Sequence, residues 1–381
     1  MYSIAAYGDM ATDRVRMDAY SSALEKAIKP HCVVLDIGCG TGIMSLLACK
    51  LGAQRVYAVE PDDAIQVARE AAAANGFADR IVFFQDLAKN LELPERADVI
   101  ISDLRGVLPL NEHHIPSIVD ARQRLLSPDG VLIPLQDTLR LAVVEASDLY
   151  MKYVTPWAKG EHGFDLGAAG RIVLNTWRKG RTKPDQLLTK PQCWATLDYL
   201  TIESPDVHAE LNCTVEHAGT AHGLSVWFDT VLAEGVGFSS GPDASELIYG
   251  SGFFPWLQPV DLAVNDVVTI KISADLVDEN YIWRWDTRVL SLGSTQVKAD
   301  FKQSTFFGVP LSLAQLHKRA ATYVPTLNDD GQIHQFILSL MDGSNSVEEI
   351  ARQAIKHFPA RFSAFSDALS QVGEVSRKFS Q

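Results

Sequence analysis

Three glycines at alternate positions close the stretch Val33-Val34-Leu35-Asp36-Ile37-Gly38-Cys39-Gly40-Thr41-Gly42, and Ile43 to Ala48 then reads as a helix. Glycine lets a backbone turn tightly and approach a ligand, and the helix N-terminus behind it favours an anionic group. A dinucleotide fingerprint would place its last glycine at position 43, which is Ile43 here. Asp36, Gly38 and Gly40 are therefore candidate ligand-binding positions of another nucleotide type. Arg55-Val56-Tyr57-Ala58-Val59-Glu60 reads as a second strand ending in an acid. Glu60 lies where α/β cofactor folds place a carboxylate that accepts both ribose hydroxyls; a solvated strand-end acid is the plain alternative. A third strand end opens Ser102 to Glu112, which carries Asp103 and Glu112 on either side of Gly106. It faces the same crevice, because ligands sit outside the carboxyl ends of such strands.

The elements that position these groups are legible as a pattern. Val15, Ala19, Ala23 and Ala27 recur every four residues, the stripe of a helix that Pro30 ends. From 31 to 134 strands and helices alternate, with Ala64–Asn75 helical and Arg80–Phe84, Ala97–Asp103 and Gly130–Pro134 extended. This is a parallel sheet with helical crossovers. Past Pro134 the pattern turns to alternation, at Leu139–Glu145, Ala195–Ile202, Ala209–Glu216, Leu224–Ala233, Val267–Ala274 and Tyr281–Leu290. Turn residues punctuate these runs, so an antiparallel sandwich or barrel follows. The last part, from about 305, reads as helices: Ile333, Phe336, Ile337, Leu340 and Met341 recur at helical spacing, and Ser346-Val347-Glu348-Glu349 is a capping box.

Composition narrows the classes. The 381 residues are 47% hydrophobic and 21% charged, which describes a globular chain of two or three domains. A net charge of −13 argues against nucleic acid as a partner and favours cationic ones. The five cysteines form no C-x-x-C pair, which fits a reducing cytoplasm and no zinc. No signal peptide and no apolar run of membrane-spanning length stands out, so no membrane association is expected.

The G-x-G-x-G loop after Asp36 is similar to the S-adenosylmethionine (SAM) loop of class I methyltransferases, and residues 2–300 resemble the protein arginine N-methyltransferases. Met10, Asp13, Arg16 and Tyr20 match the Met-x-x-Asp-x-x-Arg motif and following aromatic that open that family's core. The resemblance implies that Arg16 pairs with the SAM carboxylate and that Met10 borders the sulfonium. Class I enzymes hold the adenine after the third strand, which implies Asp86 on the amino group and Leu87 or Ala88 against the ring. The family carries two glutamates around a Gly, and here Asp103, Gly106 and Glu112 keep their places. Two such carboxylates grip a guanidinium, localise its charge and aim one nitrogen at the methyl carbon, work that is mostly positioning. Asp is shorter than Glu by on the order of 1 Å, a misplacement that can cost ~100-fold. His113-His114 has no third ligand at metal spacing and reads as helix surface.

Gly163-Phe164-Asp165-Leu166 matches the step before the family's dimerisation arm, expected over about 164–193. Phe253-Phe254-Pro255-Trp256-Leu257-Gln258 matches its Thr-His-Trp loop, with Pro255 in place of the His and Trp256 kept, so the resemblance puts Trp256 in the acceptor wall, with the plain core as the alternative. Residues 305–381 resemble PqqD-like winged-helix domains, which receive the leaders of ribosomal peptide precursors along a strand edge; a bland packing or dimerisation domain is the alternative.

The expected fold is thus α/β, with a Rossmann-like class I methyltransferase domain at 1–134, an antiparallel β-barrel at 135–304 and a small winged-helix-like α domain at 305–381. The expected function is methyl transfer from SAM to an arginine of a peptide or protein, with a ribosomal peptide precursor as one candidate, in a cytoplasmic homodimer. A different acceptor on the same fold, or a SAM-binding scaffold without arginine activity, is the alternative.

Overall fold

The computed structural model describes residues 3–157, 163–293 and 296–380. Two helices come first, α1 (Ile4–Thr12) and α2 (Arg14–Ala27). Asp13 separates them, because its side chain accepts the Arg16 backbone N–H at 3.1 Å and so caps the second helix. The buried stripe of α2 is Arg16, Tyr20, Ala23 and Leu24. The alanine stripe expected from Val15 onward is rotated from it, and Val15 is 41% exposed. Arg16 turns inward because Asp103 supplies an opposite charge there, which a pattern that counts charges as solvated misses.

The chain then alternates through β1 (Val33–Ile37), α3 (Ile43–Lys50), β2 (Arg55–Val59), α4 (Ala64–Ala74), β3 (Ile81–Phe84), β4 (Ala97–Ser102), α5 (His114–Arg124) and β5 (Leu126–Ile133). The strands form a parallel sheet in the order β3-β2-β1-β4-β5. The order reverses between β1 and β4, and a crevice opens beyond their carboxyl ends at such a switch point. Every residue of β1 is buried, as a central strand covered on both faces requires.

The antiparallel part comprises β6 (Gln136–Val144), α6 (Ser147–Tyr153), α7 (Gly167–Val173), β7 (Arg178–Gly180), β8 (Gln192–Asp198), β9 (Val207–Thr214), β10 (Gly219–Ala233), β11 (Val236–Ser239), β12 (Ser251–Leu262), β13 (Val267–Val277), β14 (Asn280–Leu290) and β15 (Val297–Phe301). One sheet runs β7-β12-β10-β6-β8 with β11 against β10, and the other β15-β14-β13-β9. Their inward side chains join those of the parallel sheet in one continuous core, and residues 1–310 form one compact unit.

Residues 311–381 form the second unit. It holds α8 (Leu313–Lys318), α9 (Asp329–Ser339), α10 (Val347–His357) and α11 (Phe365–Phe379). Ile333, Ile337, Ile350, Ala354, Phe362 and Val372 make its core, and Ser346 and Glu349 complete the capping box of α10. The described residues of this unit contain no strand, so the edge that a winged-helix domain would offer a peptide is missing there. No described helix is long and apolar enough to cross a membrane.

Candidate active site

The glycine loop joins β1 to α3 at the switch point. Gly38, Gly40 and Gly42 all adopt positive φ, at 73°, 53° and 85°. A Cβ on Gly40 would lie 2.3 Å from the Tyr7 ring of α1, and one on Gly42 would lie 2.8 Å from the Ala68 Cβ. Only glycine satisfies both the conformation and the approach. Gly42 is the N-cap of α3 and provides no side-chain cap, so the first N–H groups of that helix face the loop without one.

Two carboxylates brace the loop from strand ends. Asp36 accepts Ser45 Oγ at 2.6 Å, and burial pushes its carboxyl up to about 6. Glu60 accepts the Gly40 and Asp62 backbone N–H groups, both at 3.0 Å, and burial raises its pKa as well. Asp86 is exposed beside the turn at 88–90 and accepts Leu87 N at 2.6 Å and Asn90 Nδ2 at 2.7 Å, while Leu87 is 46% exposed.

The loop after β4 lies directly on the glycine loop, since a Cβ on Gly38 would meet Leu104 Cδ2 at 2.4 Å. Its first residue, Asp103, sits at the centre of a buried charge cluster. Arg16 places Nε at 2.8 Å and Nη2 at 2.7 Å from Asp103 Oδ2, Tyr249 Oη donates to the same oxygen at 2.5 Å, and Arg105 Nε donates to Oδ1 at 3.0 Å. Burial opposes the charge on Asp103, but the Arg105 and Arg16 guanidinium groups outweigh it and hold its carboxyl below the usual range. Arg16 also donates Nη1 to the Met10 carbonyl at 3.2 Å, so the two residues of the opening motif meet.

Glu112 ends the same loop, exposed and at φ 41°. Its side chain makes no hydrogen bond or ion pair among the described residues, so the structure does not bring it together with Asp103 as a ready clamp. A glutamate in the left-handed region costs about 1–2 kcal/mol, a strain that clusters at functional sites.

Two expectations need correction. Trp256 is fully buried and packs against Phe301 at a ring-centroid distance of 6.0 Å, so it is core and not acceptor wall. Its neighbour Pro255 accepts Trp285 Nε1 and Gln303 Nε2 through its carbonyl, which anchors the segment inside the barrel. His114 is not helix surface: it is 1% exposed and stands 2.9 Å from Tyr199 Oη through Nε2. His113 beside it is exposed.

Residues that sequence reasoning missed complete the cluster. Arg105 is fully buried and spans Asp103, Asp137 Oδ1 (3.0 Å), Thr230 Oγ1 (2.8 Å) and Tyr20 Oη. Tyr199 Oη donates to Asp137 Oδ2 at 2.6 Å and links the chain of groups to His114. A lone arginine in a loop carries no local signal for such a role, since its partners come from α2, β6 and β10.

Comparisons with known proteins place the chain's family and fold. Residues 20–133 match the family model described as ribosomal protein L11 methyltransferase, and residues 136–281 match the arginine methyltransferase oligomerization subdomain. The chain is 31% identical over 293 residues to protein arginine N-methyltransferase 2 of Homo sapiens, covering 72% of this chain and 67% of that one. It is 30% identical over 258 residues to probable protein arginine N-methyltransferase 6 of Arabidopsis thaliana, covering 65% of this chain and 59% of the relative's length. Among solved structures, the Trypanosoma brucei PRMT1 enzyme–prozyme heterotetrameric complex with AdoHcy superposes with a TM-score of 0.71 at 24% identity, covering 78% of this chain and 96% of that one. Arabidopsis thaliana protein arginine methyltransferase 10 superposes at 0.69 and 23% identity, covering 79% and 97%. These likenesses establish the fold.

Proposed function

The chain belongs to the protein arginine N-methyltransferase family, and from that premise we propose that it transfers a methyl group from SAM to an arginine guanidinium of a peptide or protein. The observation that carries this reading is the seating of the Asp103–Glu112 loop on the glycine loop through Leu104, which puts the loop that ends in Glu112 at the carboxyl ends of β1 and β4.

The residues present fit the cofactor: a glycine cradle with no room for side chains, an α3 N-terminus without a side-chain cap, and a buried strand-end carboxylate. Glu60 would hold the ribose, Gly38 and Gly40 would offer close backbone, Arg16 would meet the amino-acid carboxylate, Met10 would border the sulfonium, and Asp86 with Leu87 would border the adenine. Asp36, tied to Ser45, braces the loop from within. SAM supplies an electrophilic methyl group on a sulfonium when bound. A guanidinium is protonated and its lone pairs are delocalised, so it needs orientation more than activation. Glu112 accepts its N–H groups, holds the charge on the far nitrogens and can take the proton released. Asp103 fixes the Arg16 fork.

The oligomerization subdomain match supports a homodimer formed through residues 164–193, where Phe164 is 70% and Leu166 38% exposed. We place the second unit's role in recruiting the peptide. With no described strand edge, an apolar helix face is the surface it would use. The hold of Arg16, Arg105 and Tyr249 on both oxygens of Asp103 favours one second reading, an acceptor cation other than arginine.

Methyl transfer from labelled SAM to arginine-containing peptides, followed by hydrolysis, tests the proposal. The expected product is methylarginine, with transfer abolished in Glu112→Gln. Label on another amino acid, or full activity in Glu112→Gln, refutes the assignment.

A further inference from the structure

Arg105 occupies a guanidinium site built from the protein's own side chains. Its carbon lies 5.4–5.8 Å from the ring centroids of Tyr20, Phe228, Phe238 and Tyr249, and its nitrogens reach Asp103, Asp137, Thr230 and Tyr20. Such a box with two carboxylates is what a cationic planar group requires, and Arg105 fills it completely.

The consequence falls on Asp103. A carboxylate has about four lone-pair sites. On Asp103, Oδ2 receives Arg16 Nε, Arg16 Nη2 and Tyr249 Oη, and Oδ1 is held by Arg105 Nε. If Arg16 turned to a cofactor carboxylate, Arg105 and Tyr249 would still hold one oxygen each. Glu112 on the same loop is exposed and has no side-chain partner among the described residues.

We infer that Arg105 is a specificity-determining positioning residue: it withdraws Asp103 from the acceptor and leaves Glu112 as the single carboxylate presented to the acceptor cation. The inference rests on the arginine-acceptor reading above. It makes acceptor binding weaker than a two-carboxylate grip would allow, and it assigns this effect to a side chain that touches neither cofactor nor acceptor.

The test removes the bridge while keeping the buried charge balanced. In Arg105→Met combined with Asp137→Asn, one cation and one anion leave together, and Asp103 regains a free oxygen. With the full chain, affinity for an arginine-containing peptide is measured in the presence of S-adenosylhomocysteine, and KM and kcat are measured with SAM. A regained charge-assisted hydrogen bond corresponds to about tenfold. The expected result is peptide affinity about tenfold tighter, with the acceptor KM falling in parallel. A purely structural role would lower kcat and leave KM unmoved. Unchanged or weaker peptide affinity in the folded variant overturns the inference.

Should the double variant fail to fold, Arg105→Lys carries the test, since its compact ammonium keeps a charge for Asp137 but lacks the Nε–H that Asp103 Oδ1 accepts. Its peptide affinity must also rise, and a fall or no change overturns the inference. A wild-type protein that neither binds nor methylates arginine peptides overturns the functional reading instead, so the two failures are distinguishable.

Discussion

Acidification should unfold this protein partly through one buried imidazole. Tyr199 has a single hydroxyl proton and donates it to Asp137, so the 2.9 Å contact with His114 requires an N–H on the histidine Nε2. Nδ1 is then the bare nitrogen, and it is buried with no partner among the described residues. A second proton would have to sit there without water or an acceptor. Burial accordingly lowers the pKa from the usual 6.5 to about 3. Above pH 7 His114 is neutral in both folded and unfolded chains and contributes no pH dependence. As pH falls through 6.5 the unfolded chain takes up the proton first, and stability is lost until the folded state also titrates near 3. At 1.36 kcal/mol per pH unit, the loss between pH 7 and pH 5 is about 2 kcal/mol. Asp36 works in the opposite direction, because its raised pKa of about 6 adds stability as pH falls below that value. Wild type and His114→Gln must therefore be compared, the variant keeping a donor for Tyr199. All seven tryptophans lie within residues 1–310, so fluorescence-monitored urea unfolding reports on that unit alone. The expected result is that wild type loses about 2 kcal/mol more than the variant on going from pH 7 to pH 5. Equal losses, or a larger loss in the variant, would refute the reasoning.

Two further outcomes follow from burial and backbone geometry. Glu112→Gly removes a side chain from φ 41° and should leave urea stability unchanged or raise it by up to ~1 kcal/mol, while methyl transfer falls by ~100-fold or more; a stable variant that kept its activity would count against Glu112. Ile337→Ala empties a fully buried position in the second unit at a cost of about 2–5 kcal/mol, comparable with all that a core of this size supplies. Hydrogen exchange should then show α9–α11 open while the tryptophan-monitored transition is unmoved, and a shared transition would contradict independent folding of the two units.

What the sequence shows plainly is local. A strand, an acid, three glycines and a helix occupy one continuous stretch, and each carries its own conformational rule, so the glycine loop and Glu60 lie where spacing puts them. The alternating runs after Pro134 locate the antiparallel strands for the same reason, since a period of two is written in neighbouring residues. The misreadings share a different cause. Trp256 in a short apolar run has the same pattern whether it faces a core or a ligand, and only the barrel around it decides. His114 is read as surface because its partner Tyr199 lies 85 residues away. Val15 looks like a buried stripe until Asp103, 87 residues from Arg16, pulls the neighbouring face of α2 inward.

Arg105 is the extreme case, and it changes how the site's charges should be weighed. The buried cations Arg16 and Arg105 face the buried anions Asp103 and Asp137, an even balance closed off by Tyr20, Tyr199, Tyr249 and Thr230. A buried ion pair is weak evidence for stability, because desolvation offsets most of the attraction, and a well-packed apolar pair is often as stable. Removing one member alone is another matter and costs about 3–5 kcal/mol, since an uncompensated charge stays behind. Any single substitution in this cluster therefore reports the orphaned partner as much as the function of the residue removed. Loss of activity in Asp103→Asn would not by itself make Asp103 an acceptor ligand, because Arg16 and Arg105 would be left facing each other. Only charge-balanced changes separate the two, and an enzyme whose acceptor binding improved when Arg105 and Asp137 left together would show that the cluster sets the grip on the acceptor and not merely the fold.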